Sequence, residues 1–133
     1  MKVHNFKELK IWQKSIDLAK LVYVVLNEFP MEEKYGLTSQ IRRSSISIPS
    51  NIAEGSGRVS DKEFLHFLSI ANGSAFELET QLFLAKEFNY ITEENYLNVT
   101  KLLTEVEKMI YGFYQKVNNN SQISQISSLK TQS

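Results

Sequence analysis

A run of apolar residues at alternating steps of four and three constrains this chain more than anything else in it. Phe64, Leu68, Ala71, Ala75, Leu78, Leu82 and Ala85 keep that rhythm without a break. The spacing puts all seven side chains on one stripe of an α-helix and on no single face of a strand. Just ahead of it Ser60 and Glu63 form an S-x-x-E capping box, which satisfies the orphan amides of a first helical turn. Such a stripe is stable only when another element covers it. Tyr96, Val99, Leu103, Val106, Ile110, Phe113 and Val117 repeat the pattern, opened by Thr92 and the dipole-compatible Glu93 and Glu94.

Two more helices complete the set. Asn5 and Glu8 resemble a further capping box, followed by a stripe of Leu9, Trp12, Ile16, Ala19, Tyr23 and Leu26 that Pro30 closes. Leu37, Ile41, Ser45, Ile48 and Ile52 mark another helix, with Gly55 and Gly57 as its stop signal. Pro49 falls inside it, and an interior proline costs about 3 kcal/mol, so a kink or break is expected there. The connections around residues 30–36 and 89–91 are short enough to force antiparallel neighbours. The expected fold is therefore all-α, an antiparallel up-down-up-down four-helix bundle over residues 1–117. Residues 118–133 are Asn, Ser, Gln, Thr and Lys with only Ile123, Ile126 and Leu129 as apolar members. That is too little to offset ordering entropy, and a disordered polar tail is expected.

Charge and composition exclude several functions. Fifteen basic and fifteen acidic residues cancel, so any contact with nucleic acid or an anionic membrane has to come from a local patch. The absence of cysteine removes disulfides, thiolate metal sites and cysteine nucleophiles. The longest apolar run, Leu21 to Leu26, is six residues against the ~20 of a membrane span, and the charged N-terminal region does not read as a signal peptide. A cytoplasmic location is expected.

A second apolar line runs along the third helix. Leu65, Phe76 and Phe83 fall within about 20° of one another and about 100° from the main stripe. If exposed, they form a patch suited to self-association; the other reading is a core stripe that reaches that far round.

Catalytic chemistry finds little support. Glu63 and His66 have the Glu-x-x-His spacing of half a di-iron site, but the only other histidine is His4 and Glu63 has a capping role. Glu77 and Glu79 point to different helix faces, which suits ion pairs with the helix-two arginines better than acid/base work. No serine sits in a nucleophile elbow. No enzyme activity, metal or cofactor is expected. The turn Gly55-Ser56-Gly57-Arg58 either holds a phosphate on free amides or is an ordinary turn with glycine in left-handed geometry. Arg42, Arg43 and Arg58 are the only arginines, and Arg43 is the one whose helical angle faces away from the seam. With Lys7, Lys10 and Lys14, and Lys2 before them, they are the candidate nucleic-acid contacts; for the lysines a solvated helix face is the alternative.

The string from Tyr35 to Arg58, YGLTSQIRRSSISIPSNIAEGSGR, with Phe6 to Gln13, Phe67 to Ser74 and Glu77 to Gln81, resembles the 23S rRNA intervening-sequence proteins, small bacterial four-helix bundles. The resemblance implies assembly as a homo-oligomeric ring, often a pentamer, and supplies no reaction. The bundle is also similar to the accessory variability proteins of diversity-generating retroelements, which implies RNA or DNA as a partner. Two functions are therefore expected to compete: an oligomeric scaffold contacting nucleic acid through the arginines, and a structural or protein-interaction module with those arginines bound to Glu54, Glu77 and Glu79.

Overall fold

In a computed structural model, residues 5–132 are described, with side chains to residue 123. Lys2 and His4 lie outside the described residues. Four α-helices account for most of the chain: α1 (Lys10–Leu26), α2 (Leu37–Ser56), α3 (Asp61–Glu87) and α4 (Glu93–Gln132). Among the described residues there is no strand. Short 3₁₀ turns at Phe6–Glu8 and Met31–Glu33 precede α1 and α2. Helix α1 packs on α2 and α4, and α3 packs on the same two, so α1 and α3 occupy opposite corners of a four-helix bundle.

The start of α1 differs from the expected capping box. Asn5 Oδ1 accepts from the Lys7 amide at 3.2 Å and caps the 3₁₀ turn, and α1 begins at Lys10 with no side-chain cap. The seam of α1 is also rotated. Its buried residues are Ile11, Ser15, Leu18, Val22, Val25 and Leu26, whereas Leu9, Trp12, Ile16 and Ala19 are half-buried and Tyr23 is exposed. Both stripes satisfy helical spacing. The observed one tolerates a serine in the core because Ser15 Oγ donates to the Trp12 carbonyl at 2.7 Å, so its burial leaves no polar group unpaired.

Helix α2 keeps the expected stripe, with Ile41, Ser45, Ile48 and Ile52 buried and Leu37 half-buried. It does not break at Pro49, and helical assignment is continuous from Leu37 to Ser56. Serine and asparagine side chains surround the proline with local bonds: Ser45 Oγ to the Arg42 carbonyl at 2.9 Å, and Asn51 Nδ2 to the Ser47 carbonyl at 2.8 Å. At the C-terminal end Gly55 is required by packing. A Cβ there would sit 2.7 Å from Phe67 Cβ and 2.9 Å from Phe64 Cδ1, so α2 and α3 approach too closely for any larger residue.

Helix α3 buries all seven seam residues read from the sequence, and Ser60 Oγ accepts from the Glu63 amide at 3.2 Å as its N-cap. Its C-terminus closes as a Schellman motif: Asn89 takes a left-handed φ of 63°, while the Tyr90 amide reaches the Ala85 carbonyl at 2.8 Å and the Asn89 amide the Lys86 carbonyl at 3.0 Å. Helix α4 buries Val99, Leu103, Val106, Ile110 and Val117, with Tyr96 and Phe113 half-buried. Its backbone does not stop at Val117, where the polar composition places the end of ordered chain, but continues helical to Gln132. No glycine or proline interrupts residues 113–132, and an existing helix extends through Asn, Ser and Gln at a cost of only tenths of a kcal/mol per residue. Val117 is nonetheless the last residue with a buried side chain among those described.

One carboxylate joins the two helix connections at the same end. Glu33 Oε2 accepts from the Leu37 amide at 2.8 Å, capping α2, and Glu33 Oε1 accepts from the Tyr90 hydroxyl at 3.2 Å. Tyr90 also packs against Phe29 and Phe88, with ring centroids 5.8 and 5.6 Å away.

Candidate functional site

The arginines expected to act together are separated by the fold. Arg42, on the α1 side of α2, lies over the Tyr23 ring at 5.6 Å. Arg58, past the end of α2, pairs with Glu54 at 2.8 Å and lies over the Phe67 ring at 4.6 Å. Arg43 is exposed and, among the described residues, has no ion-pair or ring partner. Only the Arg58–Glu54 pair matches the ion pairing expected between arginines and acids. Glu77 instead accepts from Gln81 Nε2 at 3.2 Å, and Glu79 faces α4 rather than α2.

The lysines divide in the same way. Lys14 reaches Glu105 of α4 at 3.3 Å. Lys7 and Lys10 are exposed and no ion pair holds them among the described residues. The glycine turn before α3 offers no phosphate cradle, because its amides are used: Gly57 N donates to the Glu54 carbonyl at 3.2 Å and Arg58 N to the Gly55 carbonyl at 3.1 Å. Nor is any glycine left-handed there, since Gly57 has φ −88°. Glu63 is held in the α3 cap, and among the described residues no three His, Cys, Asp or Glu side chains gather as a metal site.

The α3–α4 face carries the second apolar line. Phe76 is 51% exposed and Phe83 48%, so both project from the fold, whereas Leu65 is half-buried and leans on the core. Phe83 borders a small concavity with Glu79, Thr80, Tyr96 and Thr100. Between the helices Glu79 meets Glu107. Burial, the Glu79 charge and a hydrogen bond with Glu79 push the Glu107 carboxyl up to about 7. Near neutral pH the Glu107 carboxyl is therefore about half protonated. Glu107 Oε2 and Asn72 Oδ1 are buried without a hydrogen-bond partner.

A second apolar surface, missed from the sequence, lies on the α1–α2 face. Trp12, Ile16 and Ala19 of α1 and Ile46, Pro49 and Ala53 of α2 line a groove of about 300 Å³. Its α1 wall is the stripe expected to be core, displaced to the flank by the rotated seam. Ile46, 45% exposed, stands at one end, one helical turn from Arg43. No helix among the described residues is long and apolar enough to cross a membrane.

Comparison with known proteins agrees with the fold. The crystal structure of a protein of unknown function from the S23 ribosomal protein family of Bacteroides thetaiotaomicron is similar at 30% identity and a TM-score of 0.73, over 78% of this chain and 97% of that one. No protein with a curated description matches. The sequence profile of the 23S rRNA-intervening sequence proteins matches residues 7–112, which take in all of α1, α2 and α3 and half of α4. On that match, this chain belongs to the 23S rRNA-intervening sequence protein family.

Proposed function

We propose that this protein is a non-enzymatic, self-assembling four-helix-bundle module that acts through protein contacts. The observation that carries this is the pair of half-exposed phenylalanines, Phe76 and Phe83, in line on one face of α3. Large aromatic side chains held in line outside a completed core characterise partner surfaces. An antiparallel, up-down-up-down arrangement is supported by the reversed order of contacts. Along α2 and α3 these run Ser44 to Gln81, Ser47 to Ser74 and Gly55 to Phe67; along α1 and α4 they run Lys14 to Glu105 and Glu28 to Asn95. Association of such a module through two different faces builds a closed ring when the rotation between copies closes.

Sedimentation velocity and light scattering on the full chain test this directly. We expect a defined oligomer whose population falls with dilution, and a monomer at every concentration would overturn the reading. Nucleic-acid contact is a second reading, favoured by the exposure of Arg43, Lys7 and Lys10, which have no ion partners among the described residues. Fluorescence anisotropy of structured RNA and duplex DNA across a salt series decides it. Binding through these cations weakens steeply with added salt, and no change in anisotropy at low salt removes it.

A further inference from the structure

The two apolar surfaces of this molecule are on opposite sides and differ in shape. On the α3–α4 side, Phe76 and Phe83 make a ridge; on the α1–α2 side, Trp12, Ile16, Ala19, Ile46, Pro49 and Ala53 make a groove. A ridge cannot satisfy another ridge, so a two-fold contact of either face with itself leaves phenylalanine against phenylalanine or groove against groove. Lengths match across the two faces. Phe76 and Phe83 are seven residues apart, as are Ile46 and Ala53, and Trp12 and Ala19; each pair spans about 10.5 Å of helix.

Charge matches as well. The groove ends toward Arg43, an exposed arginine with no ion-pair partner among the described residues. Beside the ridge lies the Glu79–Glu107 pair, with Glu79 lining the concavity that Phe83 borders. A cation arriving there meets a carboxyl pair that holds net negative charge at its solvent-facing Glu79.

We propose that the α1–α2 groove of one copy receives the Phe76–Phe83 ridge of a second copy, with Arg43 of the first directed at the Glu79–Glu107 carboxyls of the second. The inference rests on the self-assembly reading above and specifies its interface. Because the contact joins two unlike faces, every copy keeps one of each, and addition continues until a ring closes or a filament grows.

The test uses one substitution on each face of the full chain, both at exposed positions: Ile46→Glu in the groove and Phe83→Asp on the ridge. Circular-dichroism melts confirm that each variant keeps the fold. Alone, each should assemble at least about tenfold more weakly than the unsubstituted chain. Mixed, they should form a one-to-one pair that grows no further, because each retains the face the other lacks. Arg43→Glu and Glu79→Arg should each weaken assembly, and the double variant should recover most of the loss. If the mixture stays monomeric, or either variant alone assembles like the unsubstituted chain, the interface is overturned while self-assembly stands. If the unsubstituted chain never associates, both fall together.

Discussion

Helix α3 has two flanks, and they are built from different chemistry. Toward α2 the contact is closed and neutral: Ser44 Oγ donates to Gln81 Oε1 at 2.7 Å, the Ser47 and Ser74 hydroxyls meet at 2.8 Å, and Gly55 lets the backbones approach. Toward α4 the contact is ionisable and open, with Glu79 and Glu107 between the helices and Phe76 and Phe83 outside them. The hydrogen bonds that cross the neutral flank join hydroxyl and amide groups, which do not titrate, and they fix helix register whatever the pH. The ionisable flank instead carries a group whose charge changes near neutral pH.

Three substitutions probe that contrast. The largest effect belongs to the closed flank: Gly55→Leu would force a side chain into the 2.7 Å gap before Phe67, costing about 3 kcal/mol in denaturant unfolding. Next, Ser44→Ala removes the donor to Gln81 Oε1 and leaves a buried acceptor unpaired, which should cost about 1–2 kcal/mol at any pH. A loss that varied between pH 5 and 8 would show the flank to be less neutral than drawn.

The smallest effect is on the open flank and depends on pH. With its folded-state pKa raised to about 7 from 4.5, Glu107 takes up its proton in the folded chain first. Stability therefore rises as pH falls from about 7 toward 4.5 and is lowest above 7. Glu107→Gln should flatten that slope and stabilise the chain at pH 8, by about 1 kcal/mol or less because the group is partly solvated. Melting temperatures of both proteins between pH 5 and 8 check it, and parallel curves would remove the acid pair as the cause.

Legibility from sequence followed the same division. The seam of α3 was readable because only one stripe of that helix keeps helical spacing without interruption, and all seven of its residues are buried. Helix α1 has two apolar stripes that both satisfy helical spacing, and spacing alone does not choose the one containing Ser15. Its bond to Trp12 is what makes the burial cheap. Helical angle sets Phe76 and Phe83 apart from the seam and leaves open whether a wide core covers them; packing leaves both exposed and half-buries Leu65. The Glu79–Glu107 pair is not set by helical angle, since it depends on how far one helix slides along another, a quantity that no single-helix pattern contains. The α1–α2 groove was hidden for the same reason as the rotated seam that creates it.

The Glu33 bridge between Leu37 and Tyr90 bears on the order in which this molecule folds. Its hydroxyl bond spans 57 positions of sequence, whereas α1 with α2, and α3 with α4, are joined by short local connections. Contacts near in sequence close their loops at lower entropic cost and form sooner. Consecutive helices, α2 and α3 included, can therefore begin to pack before the bridge exists, and the bridge closes once the two distant connections are side by side. Tyr90 is in this sense an internal clock: its hydroxyl bond to Glu33 registers the meeting of two distant connections rather than the formation of any one helix.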